Sequence, residues 1–583
     1  MLILNPQLKN MAEILEQQSP QGRKGHPKGL GVLFTTEMWE RFNFYGMRAL
    51  LTLFLVNALA YKESEASIIY GGFLGLSYLT PMLGGFIADR YLGNRLCIML
   101  GGLTMAIGQF LLFSSASTFD GNMELSKTIM WSALLVIIIG NGFFKPNISS
   151  MVGQLYPKGD NRLDSAFTIF YMGINVGAFL GMTICPLLGD VVTTQADGTQ
   201  MRNVFAFKWG FLAAGIAMLL GTLIFYLLKD KYVVSADGKP VGGIPVHTAS
   251  VNGEDSSEVK FSKKAITTAL ISFAGMVALF HFLAFEEGVS NWISHWVYPV
   301  IYASGITLAG LILSDSSLTK IERDRVIVMY FVAFFVIFFW ACFEQAGSSL
   351  TFIANNQTDR NLFGWEMPPS FIQNANSLFI IIFAIPFSIL WMKLSERKME
   401  PMSTVKQSIG LILLSIGFLI IAFQVKDLGT TGKLGVIWLI VMYFFHTIGE
   451  LCLSPIGLSL VAKLAPKKFA SLLMGVWFLA NAAGYALAGT LGSVLPPTSE
   501  HYITAEKEGI DLQGVLEKTV TPTPEQLEWL ETSKISIEYP NFAGFTITNL
   551  FEFFMIFVTL SGVAGVILFL ISGWLKKMMH GVK

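Results

Sequence analysis

Residues 37–48 read EMWERFNFYGMR and place two glutamates and two arginines inside the first long apolar segment of this 583-residue chain. That segment runs over about 33–60 and is long enough to span a bilayer as a helix. A charge near the bilayer centre costs about 3 kcal/mol, so four lipid-facing charges would cost on the order of 10 kcal/mol. We therefore expect these side chains to face a protein interior or a water-filled cavity.

The helical period places the ionisable residues of this segment on one face. At about 100° per residue, Glu37, Arg41, Tyr45 and Arg48 fall within a sector of about 80°, and Glu40 lies about 60° to the other side of Glu37. Two interpretations follow: an ion-pair cluster that only joins helices, or a site for a substrate and protons.

The composition predicts a multi-pass membrane protein and excludes several other classes. Hydrophobic residues make up 53% of the chain, charged residues 14%, and the mean hydropathy is +0.57. Lys plus Arg and Asp plus Glu both number 40, and no basic run suggests nucleic-acid binding. No phosphate-binding Gly-Lys-Ser/Thr loop is present, which disfavours ATP-driven transport. The cysteines lack metal-ligand spacing, so we expect neither a metal site nor a disulfide framework and interpret them as packing residues: Cys97, Cys185, Cys342 and Cys452.

Fourteen apolar windows of spanning length follow a six, two, six pattern. The windows lie near 33–58, 68–88, 95–115, 129–153, 165–188, 207–228, 265–285, 292–313, 326–346, 371–392, 407–424, 435–460, 470–494 and 545–574. The predicted fold is an all-α membrane protein of two six-helix bundles plus two inserted helices, the layout of the major facilitator architecture.

The same pattern predicts the domain organisation. The expected parts are an N-terminal segment 1–30, a six-helix bundle 31–228, a linker 229–264, an inserted helix pair 265–320, and a second six-helix bundle 321–583 that contains an extracytoplasmic loop 495–543 with a short helix near 524–534. With the N-terminus in the cytoplasm, cytoplasmic segments carry more than twice as many Lys and Arg residues as the opposite side. We therefore expect both termini in the cytoplasm.

Ionisable and amide residues inside the other windows are few, which makes each one informative. Lys145 and Asn175 lie in the first half of the chain, and Glu344 and Glu450 lie in the second. Cations in one half and acids in the other suit a zwitterion that bridges the two halves, and two extended residues of a peptide reach about 7 Å. Aromatic residues that could line side-chain pockets with broad tolerance are Tyr45, Tyr78, Trp340, Trp477 and Phe478. The intramembrane carboxylates suit proton coupling, and no nucleophile and base motif indicates an enzyme.

The loop 84–95, GGFIADRYLGNR, resembles the conserved cytoplasmic loop of the major facilitator superfamily. Its glycines allow close approach of helices, and Asp89 can face the N-terminus of a neighbouring helix. We expect a gating role for Gly85, Asp89, Arg90 and Gly93.

Six motifs together resemble the proton-dependent oligopeptide transporter family. They are ExxERFxFYG at 37–46, GGxxADxxxG at 84–93, KPN at 145–147, FxxFYxxINxG at 167–177, FEQ at 343–345 and GELxxSPxGL at 449–458. The resemblance covers both halves and implies a 12-helix major facilitator fold with an inserted helix pair. It also implies symport of di- and tripeptides with protons by alternating access, in a bacterial inner membrane, without a cofactor. We expect a monomer.

The resemblance also implies residue roles. Glu37, Glu40, Arg41 and Glu344 match the proton-coupling positions. Arg48 and Lys145 match the cations that take the peptide carboxylate and pair with Glu344 and Glu450. Positions that match the peptide-binding pocket are Tyr45, Arg48, Tyr78, Lys145, Asn175, Trp340, Glu344, Glu450, Trp477, Phe478 and Asn481.

Two departures from the family pattern limit what the resemblance implies. Phe44 stands where many members have Tyr, and Phe343 precedes Glu344 where some carry a second acid, which leaves the proton count per peptide open. Two alternative functions also stay open: symport of another small solute, such as nitrate or a peptide-like drug, and peptide sensing without transport.

Overall fold

The structure is a computed structural model that describes residues 25–157, 160, 162–194, 200–235, 237–245, 261–284 and 292–582. It is mostly helical, at 78%. Within the described residues the α-helices are α1 Lys28–Asn57, α2 Glu63–Ile87, α3 Gly93–Thr118, α4 Met123–Gln154, α5 Leu163–Gly189, α6 Phe207–Tyr232, α7 Lys263–Phe282, α8 Tyr298–Leu313, α9 Lys320–Phe343, α10 Ser349–Asn356, α11 Asn374–Glu396, α12 Ser403–Val425, α13 Val436–Leu464, α14 Ala470–Ser493, α15 Ser499–Lys507, α16 Leu512–Leu516, α17 Pro524–Thr532 and α18 Leu550–Met578.

Short connecting elements complete the described chain. Two π-helical turns, Ala88–Leu92 and Ile293–Val297, precede α3 and α8. The strands form two-stranded ladders: β1 Val192–Thr194 with β2 Gln200–Arg202, β3 Thr358–Asp359 with β6 Leu434–Gly435, β4 Asn361–Leu362 with β5 Trp365–Glu366, and β7 Asn541–Phe542 with β8 Phe545–Thr546. Most of the predicted N-terminal segment, 1–24, and the central part of the predicted linker, 246–260, lie outside the described residues.

Helices α1 to α6 pack together as the first half of the molecule. Helix α1 packs on α5 and α6, and α3 packs on α4 and α6. Small residues permit the close contacts: a Cβ on Gly181 of α5 would meet the backbone of Phe42 on α1, and a Cβ on Gly101 of α3 would meet α4. Such small-residue contacts are typical of helices that pack within a membrane.

Helices α9, α11, α12, α13, α14 and α18 form the second half. Helix α12 packs on α13 and α18, and α9 packs on α14. A stack of aromatic rings fills the centre of this half, with Phe418 and Phe557 at a ring-centroid distance of 4.9 Å and Phe553 and Phe557 at 5.0 Å.

The inserted helices α7 and α8 pack against each other beside the two halves. Helix α8 also packs on α14, and the hydroxyl of Tyr298 donates a hydrogen bond to the carbonyl of Ile68 on α2 at 2.9 Å. Helix α7 has no buried residue. The pair therefore attaches to the bundle through α8.

The two halves meet along two helix pairs, α2 with α14 and α5 with α11. At the α2–α14 contact, Gly71 and Gly489 face each other so closely that a Cβ on Gly71 would collide with the Cα of Gly489, which would be 2.7 Å away. We call the end of the bundle that carries the connection 58–62 and the segment 494–549 the far end, and the opposite end, where residues 25–27 and 579–582 lie, the terminal end.

The number of spanning helices remains a prediction. Within the described residues, twelve helical stretches are long and apolar enough to cross a membrane by length and composition. Helices α2 and α3 form one stretch, 63–118, because the π-helical turn joins them, and α1, with its charged residues, is not among the twelve. The predicted figure of fourteen is therefore not confirmed.

The segment between α14 and α18 contains more structure than the single short helix we predicted. Helix α17 lies where that helix was expected, and α15 and α16 precede it. Buried side chains from this segment form a separate small core: Ala505, Ile510, Leu512, Val515, Leu516, Leu530 and Ile535. The sequence signal was weak because these residues are scattered among acids and prolines.

Candidate functional site

A cavity of about 220 Å³ lies between the two halves and contains most of the predicted site residues. The first half contributes Glu37, Arg41, Tyr45, Arg48, Tyr78, Lys145, Ser149, Tyr171, Ile174, Asn175, Ala178 and Met182. The second half contributes Trp340, Phe343, Glu344, Ala346, Gln373, Asn376, Ser377, Ile380, Tyr443, Glu450, Ser454, Trp477, Phe478, Asn481 and Tyr485. All eleven predicted substrate-binding positions line this cavity. A larger apolar cavity of about 850 Å³ lies among α8, α9 and α14 and contains none of them.

The cluster on α1 is one guanidinium shared by two carboxylates. Arg41 pairs through Nε with Glu40 and, at 3.2 Å, with Oε1 of Glu37, and all three side chains are buried. Glu37 and Arg41 line the cavity, whereas Glu40 is fully buried and is not among the lining residues. With both carboxylates ionised the trio has a net charge of −1, so uptake of one proton makes it neutral. This arrangement can hold a proton beside the cavity.

A second ion pair connects the two halves. Nη1 of Arg48 on α1 donates to both carboxylate oxygens of Glu344, at 3.0 and 2.8 Å, and the hydroxyl of Tyr70 donates to Oε2 at 3.3 Å. Glu344 lies in the 3-10 turn Glu344–Gly347, which follows the end of α9, and the guanidinium of Arg48 lies 4.7 Å from the ring centroid of Tyr45. The predicted pairing of Arg48 with Glu344 is present.

The predicted pairing of Lys145 with Glu450 is wrong for this conformation. Nζ of Lys145 lies 3.5 Å from the ring centroid of Tyr78, and no ion pair joins Lys145 to Glu450 among the described residues. Lys145 directly precedes Pro146 in α4, and the ammonium faces the aromatic ring because a cation is attracted to the face of a π system. Lys145 is therefore available to an anionic group in the cavity.

Glu450 pairs with an amide that sequence reasoning missed. Nδ2 of Asn376 on α11 donates to Oε2 of Glu450 at 3.0 Å and to the hydroxyl oxygen of Thr447 at 3.0 Å. The sequence signal for Asn376 is an amide residue inside an apolar window, the same signal that distinguishes Asn175. Asn175 itself donates to the carbonyl of Tyr171 on its own helix at 2.9 Å.

The predicted aromatic residues enclose the cavity from both halves. Tyr78 on α2 and Tyr485 on α14 are in edge-to-face contact at 4.6 Å, and Trp340 contacts Tyr485 at 5.8 Å. Trp477 packs over Gly457, where a Cβ would collide with the indole ring. These rings form apolar walls around a polar centre.

The predicted gating residues lie outside this cavity, at the terminal end. Asp89 and Arg90 belong to the π-helical turn Ala88–Leu92, and Gly93 follows it with a φ of +75°, which favours glycine. A Cβ on Gly93 would collide with the carbonyl of Gly243, and a Cβ on Gly85 would lie 3.5 Å from Pro146. Their role in gating remains a prediction.

Several hydrogen bonds between the halves lie at the far end. Thr52 on α1 donates to the carbonyl of Gly347 at 3.0 Å, and Ser348 donates to Ser67 on α2 at 2.9 Å. Asn356 donates to Glu63 at 2.6 Å, Asn374 donates to Thr183 at 2.7 Å, and Ser370 donates to Asp190 at 2.6 Å. Together with the Arg48–Glu344 pair, these contacts close the far end of the cavity.

Comparisons with known proteins give a consistent result. The sequence profile of the POT family (PTR2) matches residues 95–507. The chain is 34% identical to "Peptide transporter YePEPT" of Yersinia enterocolitica over 498 residues, which cover 81% of this chain and 89% of that protein. It is 31% identical to a "Di-/tripeptide transporter" of Lactococcus lactis subsp. cremoris, with coverage of 82% and 92%. The structure resembles that of a peptide transporter POT in complex with sulfate, with a TM-score of 0.70, 29% identity and coverage of 96% and 97%.

Proposed function

The chain belongs to the POT family, and on this premise we propose that it is a secondary transporter that carries di- and tripeptides together with protons by alternating access. The fold is of the major facilitator type, and the protein is a multi-pass membrane protein. The observation that carries the proposal is the distribution of charge in one cavity, with Lys145 on the first half and Glu450 on the second. A short peptide has a carboxylate for one and an ammonium for the other.

We call Lys145 and Glu450 the two charged poles of the cavity, and peptide recognition would use both. We assign the carboxylate of the peptide to Lys145, whose ammonium lies over the ring of Tyr78 and forms no ion pair among the described residues. We assign the amino terminus to Glu450 and Asn376, which together offer an acceptor and an ordered amide. The proposed binding positions are those predicted from the sequence: Tyr45, Arg48, Tyr78, Lys145, Asn175, Trp340, Glu344, Glu450, Trp477, Phe478 and Asn481.

Proton coupling would use the two buried ion-pair clusters. The Glu37–Glu40–Arg41 trio can accept one proton beside the cavity, and Glu344 can accept one when Arg48 moves away from it. Because the Arg48–Glu344 pair joins the two halves, protonation of Glu344 would favour separation of the far end. The protonation state of Glu344 and the opening of the far end then depend on each other, which is what coupling requires.

The domain boundaries, the orientation and the monomeric state are part of the same proposal. We place the termini in the cytoplasm of a bacterial cell, with the transporter in the inner membrane, since the Lys and Arg distribution favours this orientation. The far end is then extracytoplasmic. With the far end closed by hydrogen bonds, peptide access in this conformation would be from the cytoplasm, past the proposed gating residues Gly85, Asp89, Arg90 and Gly93.

Uptake by proteoliposomes with an imposed pH gradient tests the proposal. Labelled alanyl-alanine should accumulate above its equilibrium level when the outside is acidic, and unlabelled dipeptides and tripeptides should compete with it. Competition by nitrate but not by dipeptides would assign another solute. Binding of dipeptide without counterflow would assign a sensor.

A further inference from the structure

Gln373 is a buried amide in the central cavity that the proposed function does not yet use. The residue directly precedes α11, its side chain is 3% exposed, and it lines the cavity. Neither Nε2 nor Oε1 has a hydrogen-bond partner among the described residues. Buried side-chain amides are normally hydrogen-bonded, so an amide that faces a cavity in this way suits a polar guest.

The position of Gln373 relative to the two charged poles decides which part of a peptide it would meet. Gln373 lies one helical turn before Asn376, which holds Glu450, and therefore about 5 Å closer to the far end. Lys145 lies about 33 Å along α4 from the start of that helix at the far end, and so is closer to the terminal end. Along the cavity the order is Lys145, then Glu450 with Asn376, then Gln373.

A peptide bound between Lys145 and Glu450 extends toward Lys145 from its amino terminus. The side chain of its first residue is attached to the Cα next to the ammonium, so it is the side chain that lies nearest to Gln373. We propose that Gln373 recognises hydrogen-bonding groups on the side chain of the first peptide residue and so favours polar residues at that position. This inference rests on the proposed function, because it needs the amino terminus at Glu450.

The chemistry of the side chain supports this selectivity. A primary amide offers two N–H donors and one carbonyl acceptor, which match the amide of a glutamine or asparagine side chain in both directions. An apolar side chain of similar size would leave the buried amide unpaired. Ala178 and Met182 line the cavity on the facing helix α5 and bring no competing charge.

The test compares inhibition of labelled alanyl-alanine uptake by two pairs of dipeptides. Gln-Ala and Leu-Ala differ at the first residue, and Ala-Gln and Ala-Leu differ at the second. In Gln373→Leu we expect the ratio of inhibition constants within the first pair to shift about tenfold in favour of Leu-Ala, as for the loss of one buried hydrogen bond. The ratio within the second pair should stay constant.

A matched control separates recognition from the general effect of removing a buried amide. Gln407 on α12 is fully buried, its amide atoms also have no partner among the described residues, and it does not line the cavity. Gln407→Leu should leave both ratios unchanged. As a second variant, Gln373→Glu retains the side-chain size and should raise the affinity of Lys-Ala relative to Gln-Ala.

The outcomes separate the inference from the proposed function. Normal alanyl-alanine uptake with an unchanged first-residue ratio in Gln373→Leu, or an unchanged Lys-Ala preference in Gln373→Glu, would overturn the role of Gln373 and leave peptide transport intact. If wild-type protein neither binds nor carries any dipeptide, the proposed function fails and this inference fails with it.

Discussion

Glu344→Gln is the substitution that most directly tests the proposed coupling. In the structure one nitrogen of Arg48 donates to both oxygens of Glu344, and both side chains are buried. Glutamine retains one oxygen and the approximate size, but it cannot take up a proton and carries no charge. The variant therefore removes the titratable group and leaves the cavity nearly the same shape.

The expected size of the effect follows from the contacts. A hydrogen bond to a charged partner contributes about 1.5–3 kcal/mol, and one between neutral groups contributes about 0.5–1.5 kcal/mol. Since Arg48 stays charged and one acceptor remains, we expect the contact between Arg48 and residue 344 to weaken by about 1–2 kcal/mol. This loss shifts the equilibrium between a closed and an open far end about 5–30-fold toward the open state. The Thr52–Gly347 and Ser67–Ser348 hydrogen bonds persist.

The assay is accumulation of labelled alanyl-alanine in proteoliposomes at a gradient of one pH unit. Such a gradient stores about 1.4 kcal/mol per proton, so symport of one proton per peptide supports at most about tenfold accumulation and symport of two protons at most about a hundredfold. We expect wild-type protein to accumulate at least about tenfold and Glu344→Gln to stop near onefold, with counterflow exchange retained.

The control is Glu366→Gln, which removes a carboxylate from an ion pair with Arg360 away from the cavity and should accumulate normally. Gradient-driven accumulation by Glu344→Gln at the wild-type level would refute the reasoning.

Four other substitutions test the trio, Lys145, the α2–α4 contact and the attachment of the segment 494–549. Glu40→Gln leaves a single carboxylate beside Arg41, so counterflow should persist while gradient-driven accumulation falls to about onefold; wild-type accumulation would remove the trio from the coupling. Lys145→Ala should reduce the preference for a dipeptide over its C-terminal amide about tenfold, because one charge-assisted contact is lost; equal affinities of wild-type protein for the two ligands would contradict this assignment. Gly84→Ala places a Cβ against the carbonyl of Gly142 and should lower thermal stability by separating α2 from α4; an unchanged Tm would show that the helices relax freely. Ser499→Ala removes a hydroxyl hydrogen bond of 2.9 Å that holds the segment 494–549 to the second half, so we expect a loss of about 1 kcal/mol, measured as a lower Tm without a change in transport.

Much of the fold could be predicted from the sequence. Each of the fourteen apolar windows coincides with one long described helix. In the window near 326–346 this helix is α9, which ends at Phe343 before the window does. The exception within that window is the 3-10 turn Glu344–Gly347, followed by the short buried helix α10. Hydropathy does not reveal such a break, because an average over a window reports composition and not the hydrogen-bonding pattern of the backbone.

Most residues of the candidate site could be predicted, and the family resemblance also implied the Arg48–Glu344 pair, but the partners of Lys145 and Glu450 could not be predicted. Glu37, Arg41 and Tyr45 were placed on one helical face by a period that is a property of the backbone itself. Asn376 was missed, although it holds Glu450, because its partner lies 74 residues away in sequence. Gln373 was missed for the related reason that only its unpaired amide in the cavity distinguishes it from a buried packing residue.

The sequence by itself determined that the chain crosses a membrane and which residues are too polar to face lipid, because both depend on local hydrophobicity and helical period. Only the tertiary structure decided how the charges are paired. Arg48 and Glu344 are 296 residues apart, and their contact exists because two bundles close against each other at the far end. Lys145 lies against Tyr78, on a helix of its own half, and forms no ion pair with Glu450 among the described residues.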